Sequence, residues 1–575
     1  MARQVRLLQT DDIDDDDDVR SPSPSSDSAS FIHEHEAAGF LGTTTEDSSS
    51  HPAPKEVYNW RPYVLALSAA MGSAMFGYDT AFIGGTIALP SFAHKFGLED
   101  ATGNALAGIE ARIVSTFQVG CFFGSILVYY FNEFHGRRNT LILAGLLFDC
   151  GAIMQLLSNG NLDYIYLGRG LTGLAVGSSS LVIPVYISEC APPAIRGRLV
   201  GIFEIVLQSF LVVGFWVNYG VNEHISGLSD TQWRIPVSLQ LVPGTLLVIA
   251  MSFQPESPRW LIRAGKTSQA RKVLSYIRNL PADHEYVVWE VESVLNQIEH
   301  ESYTGADGSL KDKLKSIMLP GKRNRLILGC SMMILQNLSG TNALNYYSTT
   351  IFRSIGFSGT SVGLLATGVY GFFKCITTIF FTFFVIERIG RRNSLIYGGI
   401  GTMVAMFYLA FFGAVSGSFD GHAERNASAY VAIFMVYFFA VTFTLSWSGI
   451  PWIFAAEVFP ASVRSVCVSM TTSSQWVGQF MIVYSTPYLM ENIKWGTFLV
   501  FGISLFFGVV FVFLWVPETK GMTLEEMDIM FELETTDGRE MREQAEAIIA
   551  HEREVLTMSD RQTVGAIKLG DEFAV

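Results

Sequence analysis

The stretch Glu133-Phe134-His135-Gly136-Arg137-Arg138 returns later in the chain as Glu387-Arg388-Ile389-Gly390-Arg391-Arg392, each copy standing between two long apolar runs. A second pair repeats in the same order: Glu189-Cys190-Ala191-Pro192-Pro193-Ala194-Ile195-Arg196 and Glu457-Val458-Phe459-Pro460-Ala461-Ser462-Val463-Arg464. Working outward from these turns, apolar runs of about 20 residues recur, the length that crosses about 30 Å of hydrocarbon as a helix. Six precede a charged segment at 255–325 (62–90, 109–131, 139–158, 162–188, 198–221 and 234–254) and six follow it (326–351, 361–386, 394–417, 428–453, 464–489 and 494–516). This pattern predicts an all-α membrane protein with twelve transmembrane helices in two six-helix bundles, 58–254 and 326–516. The charged segment reads as short amphipathic helices. One Gly-Arg-Arg turn is accounted for by topological anchoring; its duplication, with an acidic residue three before each glycine, argues for a working pair of gates between two parallel halves.

Composition agrees. The 575 residues are 49% hydrophobic and only 16% charged, with a mean hydropathy of +0.32, which excludes an ordinary soluble protein. The net charge of −14 belongs to the ends: 1–57 holds four basic and thirteen acidic residues, and 517–575 holds six and fifteen. The middle is therefore slightly basic, and no basic field for nucleic acid is present. The N-terminal tail, Asp-rich and then Ser/Pro/Thr-rich, is expected to be disordered. Its His33-Glu34-His35-Glu36 cluster is read as solvated tail rather than a metal site. The six cysteines lie in or beside apolar runs without paired or ligand spacing, so neither disulfide, metal nor cofactor is expected. Arginines concentrate in alternate short loops (Arg137/Arg138, Arg196/Arg198, Arg388/Arg391/Arg392, Arg464), which predicts that those loops, the central segment and both tails are cytoplasmic. The opposite loops carry single basic residues and the triplet Asn426-Ala427-Ser428, which places a candidate glycosylation site at Asn426 on the outer face.

Further stretches carry a family resemblance: Gly77-Tyr78-Asp79 in span one, Arg169-Gly170 with Gly173 and Gly177 in span four, Pro184-Val185-Tyr186-Ile187-Ser188-Glu189, Pro255-Glu256-Ser257-Pro258-Arg259-Trp260-Leu261, Gly340-Thr341-Asn342 before Tyr346-Tyr347, and Pro517-Glu518-Thr519-Lys520-Gly521. From about 60 to 530 the chain resembles the sugar porters of the major facilitator superfamily, and Gly214-Phe215-Trp216-Val217-Asn218-Tyr219-Gly220-Val221 and Asn279-Leu280-Pro281-Ala282-Asp283-His284 are most similar to the fungal quinate permease-like and monosaccharide transporter subgroup. Independently of family, Asp79 lies midway through an apolar span, where a charge must be paired or face water, and Arg169 is its expected partner. The resemblance implies that Asp79 and Arg169 couple transport to a proton; the structural alternative is a static ion pair between helices. Asp149, inside span three, matches no motif.

The resemblance also implies substrate contacts at Gln336, Asn342, Trp452, Gln475 and Trp476. Amides offer donors and acceptors to hydroxyls, and indole faces pack on a saturated ring; the competing reading of each Trp is an interfacial anchor. Three positions depart from the family. Asn337 stands where a second Gln is usual, Glu204 replaces a span-five Gln, and Cys375, preceded by Lys374, replaces a span-eight Asn. A cation at Lys374 requires an anionic partner or water: either a substrate carboxylate or an internal acid, Glu204 or Asp149, meets that need. The candidate cytoplasmic gate comprises Glu133, Arg137, Arg138, Glu189 and Arg196 in the first half with Glu387, Arg391, Arg392, Glu457 and Arg464 in the second. In it, the Gly-Arg-Arg arginines are expected to reach Glu189 and Glu457.

These readings converge on a plasma-membrane carrier, expected to work as a monomer in the bilayer, that imports a glucose-like monosaccharide with protons by alternating access. A quinate or sugar-acid permease is the alternative, and a non-transporting sugar sensor is the alternative of another class. Drug antiport ranks lower, because 199–221 contains no proline, and no acid–base pair, nucleophile or metal cluster suggests an enzyme.

Overall fold

The computed structural model describes residues 54–192, 195–303, 310–355, 359–418, 427–460, 463–520 and 531, and the described residues from Glu56 onward form one unit. Among the described residues every regular element is helical. Helices α1 (Arg61–Ile87), α2 (Asn104–His135), α3 (Arg137–Leu156), α4 (Leu162–Cys190), α5 (Arg196–His224) and α6 (Thr231–Ser252) precede the central segment. After it come α7 (Pro320–Leu338), α8 (Thr341–Ser354), α9 (Thr360–Val385), α10 (Arg391–Ser416), α11 (Ala427–Thr444), α12 (Ile450–Glu457), α13 (Arg464–Asn492) and α14 (Gly496–Trp515). Among the described residues, nine of these, all but α1, α7, α8, α12 and α13, are long and apolar enough to cross a membrane.

The exceptions have a physical reason. Helices α1 and α13 are 27 and 29 residues long, so length is not what they lack. They devote their inward faces to polar groups: Ser73, Asp79, Thr80 and Thr86 on α1, and Ser469, Thr472, Gln475 and Gln479 on α13, are all buried. A helix whose polar side chains are satisfied inside a bundle need not be apolar all round.

Two predicted spans are broken rather than continuous. Span seven divides into α7 and α8 at Gly340, whose φ of +85° is the left-handed conformation glycine adopts without strain, and a Cβ there would strike the Phe501 ring. Span ten divides into α11 and α12, the second beginning at Ile450 with Pro451 in its first turn. Between them Trp447 is fully buried and its indole N–H donates to the Leu395 carbonyl at 3.1 Å.

Close packing relies on small residues. On α2, a Cβ at Gly120 or Gly124 would overlap the carbonyls of Gly170 or Leu174 on α4, and in return Gly173 and Gly177 face the carbonyls of Phe117 and Cys121. Such backbone approach replaces the hydrophobic drive that lipid-solvated helices lack. Outward faces are the reverse: α14 exposes Val500, Ile503, Phe506, Phe507 and Phe513, a stripe suited to hydrocarbon and not to water. The central segment forms the predicted short helices, Pro258–Arg263, Thr267–Arg278, Glu285–Tyr303 and Leu310–Ile317. It is tied to the end of α4 by Arg278, which bonds Glu290 at 2.5 Å and the Cys190 carbonyl at 2.8 Å.

Gly120→Val should therefore push α2 from α4 and lower stability by about 1–3 kcal/mol, as overpacking of a tight core does. Thermal unfolding of the detergent-solubilised protein checks this; an unchanged midpoint contradicts the packing described.

Candidate functional site: a polar cavity among broken helices

Asp79 on α1 and Arg169 on α4 form an ion pair with no solvent exposure of either side chain. The guanidinium also donates to the Ile113 carbonyl at 3.2 Å and stands 4.8 Å from the centre of the Phe117 ring. Removal of either partner would leave a charge in a medium that cannot solvate it.

Next to Asp79, Thr80 reaches the wall of a cavity of about 70 Å³. From the first half the wall receives Phe76, Glu204, Gln208 and Leu211; from the second it receives Gln336, Asn342, Asn345, Lys374, Trp452 and Gln475. Gln336 satisfies the break in span ten, since its amide N–H₂ donates to the carbonyls of Trp447 and Ser448, both at 2.7 Å. Its Oε1 is buried without a partner, an acceptor suited to a hydroxyl. Lys374 is buried; its ammonium donates to Asn345 Oδ1 at 3.2 Å and lies 5.6 Å from the Tyr370 ring centre. Among the described residues no carboxylate lies within 4.0 Å of it. Asp149 is engaged elsewhere, accepting from Thr245 on α6 at 2.9 Å. Glu204 shares the cavity with Lys374 and accepts hydrogen bonds from Gln208 and Ser448, each at 3.0 Å.

Two expected contact residues stand behind this wall. Asn337 donates to Gln475 Oε1 at 2.7 Å and accepts from Asn342 at 2.6 Å, so it orients two wall residues. Trp476 is fully buried against Phe76 and Phe117, with ring centres 5.2 and 6.3 Å away. Wall residues absent from the sequence reading follow helical spacing: Gln208 is one turn beyond Glu204, Asn345 beyond Asn342, and Gln479 beyond Gln475. The halves also touch directly along α2. Gln118 hydrogen-bonds Tyr346 at 3.0 Å, and Ser125 meets Ser473 at 3.0 Å.

At the duplicated turns, Gly136 and Gly390 have φ of +85° and +90°, and a Cβ on either would strike a carboxylate. These carboxylates are Glu256 and Glu518. Glu256 accepts from the Arg137 and Arg138 amides at 2.9 and 3.1 Å, and Glu518 accepts from those of Arg391 and Arg392 at 2.8 and 3.1 Å. Burial pushes the Glu256 carboxyl up from its ordinary range, opposed by the N–H groups it accepts. The signal for both acids lay in the sequence as a third duplication, Pro255-Glu256-Ser257 and Pro517-Glu518-Thr519.

The side chains divide differently from expectation. Arg137 bonds Glu189 through two nitrogens at 3.0 Å. The reach expected of Arg138 and Arg392 is corrected: their guanidinium groups bond the Ser252 and Phe513 carbonyls at 2.7 and 2.8 Å, in the last turns of α6 and α14, where carbonyls lack helical partners. Glu133 lies 3.7 Å from Arg263, Arg464 donates to the Phe459 carbonyl at 3.1 Å, and Arg196 stands among Arg278, Arg259 and Glu290. The side chains of Glu387 and Glu457, and Asn426 with them, lie outside the described residues.

A helical bundle enclosing a polar cavity, with broken helices on its wall, is the architecture of a solute carrier. The profile of the sugar (and other) transporter family matches residues 65–531, and the chain belongs to that family. A probable quinate permease of Aspergillus fumigatus is 41% identical over 484 residues, 84% of this chain and 89% of its own. The quinate permease of Neurospora africana is 39% identical over 490 residues, covering 84% and 91% of the two chains. Among solved structures, the major facilitator proton:xylose symporter XylE bound to 6-bromo-6-deoxy-D-glucose is similar with a TM-score of 0.68 and 25% identity, over 82% of this chain and 99% of its own.

Glu256→Ala or Glu518→Ala should leave two part-buried amide N–H groups without their acceptor and cost about 1–3 kcal/mol each. A stability loss in thermal unfolding, with Glu256→Gln less damaging than Ala, is the expected result.

Proposed function

We propose that this protein imports a small polyhydroxylated ring acid, of the quinate or sugar-acid class, together with protons across the plasma membrane by alternating access. The observation that carries this reading is Lys374, a buried cation on the cavity wall whose nearest described partner is the neutral amide of Asn345. A substrate carboxylate supplies the direct ion-pair contact that Glu204, more than 4.0 Å away, does not make. The amides of Gln336, Asn342 and Gln475 suit the hydroxyls, and Trp452 suits the ring face. The names of the relatives, quinate permeases, point the same way. The neutral monosaccharide ranked first from sequence remains the second reading, favoured by that amide wall and by the likeness to a xylose symporter.

Proton coupling is assigned to Asp79. Protonation removes the charge that holds Arg169 and frees α1 to move against α4, so uphill transport follows the proton. The two tails and the arginine-rich turns are placed in the cytoplasm, and the protein is taken to work as a monomer. Movement between inward and outward states must break the contacts that α2 makes with Tyr346 and Ser473, a change a few kcal/mol can bias.

Uptake assays in a transporter-null host test both assignments. Lys374→Gln should selectively lose quinate and galacturonate, by about 1.5–3 kcal/mol in apparent affinity, while any glucose uptake survives. Equal loss of acidic and neutral substrates would instead assign Lys374 a structural role. Asp79→Asn should sharply lower accumulation against a gradient but retain downhill exchange; normal accumulation at pH 5 rejects the proton site.

A further inference from the structure

The cavity holds a second ionisable group besides the lysine, and the two are arranged as alternatives. Glu204 and Lys374 are the charged residues on its wall, one from α5 and the other from α9, and the charge of Glu204 acts on the lysine. Yet among the described residues they do not close to within 4.0 Å, and each leans on neutral neighbours instead: Lys374 on Asn345, Glu204 on Gln208 and Ser448. That gap distinguishes this pair from Asp79 and Arg169, which are in direct contact.

We infer that Glu204 is a second, substrate-linked proton site: when a substrate carboxylate takes Lys374 as its counter-ion, Glu204 binds a proton and is carried neutral through the cycle. The inference rests on the acidic-substrate reading above. With the cavity empty of substrate, one carboxylate and one ammonium balance. An incoming anion makes two carboxylates about a single ammonium in one small cavity, and like charges sharing such a site drive one of them to protonate.

The hydrogen bonding of Glu204 suits that step. Both bonds it accepts end on Oε1, which leaves Oε2 to receive the proton. The residue is half-buried, so water in the cavity can deliver it. Gln208 is also built for either form. Its amide N–H₂ donates to the carboxylate, whereas its own Oε1 is buried without a partner. A rotation of the amide would turn that oxygen toward Glu204 and accept from the carboxylic acid. The other groups facing Glu204 from α9 and the 445–449 break are Lys374 and the neutral Ser448.

Charge balance gives the consequence. One anion enters with one proton on Asp79 and one on Glu204, both released inside, so each cycle moves one net positive charge inward. With Asp79 alone the cycle would be neutral. A neutral sugar would leave Glu204 ionised against Lys374 and carry a single proton.

The test uses the full-length protein in liposomes with radiolabelled quinate, a fixed pH gradient and potassium diffusion potentials set by valinomycin. For the wild type, about 60 mV inside-negative should raise steady-state quinate accumulation about tenfold, as one net charge requires. Glu204→Gln should lose the response to voltage, and its pH-driven accumulation should fall from the square of the proton ratio toward the first power. Quinate accumulation in the wild type that ignores the potential overturns the second proton site and leaves the acidic-substrate reading standing. If only glucose is accumulated, and neither quinate nor galacturonate enters at any potential, both readings fall together. The wild-type measurement decides even if the variant does not fold.

Discussion

Hydrocarbon solvates neither a charge nor an unpaired peptide group, and the interior of this carrier is organised by the need to meet each with a protein partner. The contact between Asp79 and Arg169 is the strictest case. Both side chains are wholly buried, and the guanidinium directs its remaining capacity to the Ile113 carbonyl and the Phe117 ring face. Because α1 and α4 meet at this pair, their mutual position is conditional on charge. The glycine-mediated contacts of α4 with α2 are not, since they are made of backbone and do not titrate. The protein thus places a contact made of charges beside one made of backbone.

The same constraint explains why the cavity lies where helices break. An interrupted helix exposes carbonyls that need donors, and Gln336 supplies them to Trp447 and Ser448. The amide is consequently anchored through its nitrogen, while its oxygen stays without a protein partner beside the cavity. Asn337 has the corresponding role behind the wall, fixing Gln475 and Asn342 with bonds of 2.7 and 2.6 Å. Wall residues held by such bonds lose little freedom when a ligand arrives, which is how a small polar site gains selectivity without large buried area.

Much of this was legible in the sequence because it follows from one-dimensional regularities. Apolar runs of membrane length and a duplicated turn sufficed for the helical architecture, and Asp79 stood out as a charge in such a run. What escaped notice depended on depth and on contacts across the chain. Trp476 matches a family position in sequence and Asn337 stands where the family has a second Gln, yet only packing puts both behind the wall instead of on it. Conversely, Gln208, Asn345 and Gln479 carry no motif, and helical spacing from a recognised neighbour was their sole signal. The duplicated loops pair Arg138 and Arg392 with acids, whereas the acceptors their guanidinium groups meet are the last carbonyls of α6 and α14. Glu256 and Glu518 lie in different motifs, and their shared place after the last helix of each half marks them as equivalent.

Two kinds of charge pairing therefore coexist in one bundle, and their difference is geometric before it is chemical. Asp79 and Arg169 touch, so any third charge would have to displace one of them from a sealed environment at a cost of several kcal/mol. Glu204 and Lys374 are held apart by neutral partners, and an anion can enter between them without first breaking an ion pair. A closed pair of this kind is suited to answer protonation, an open one to answer a charged ligand. Thr80, next to Asp79, lines the same cavity as Glu204 and Lys374, so the closed pair borders the open one, the arrangement that coupling a proton to a charged ligand would require.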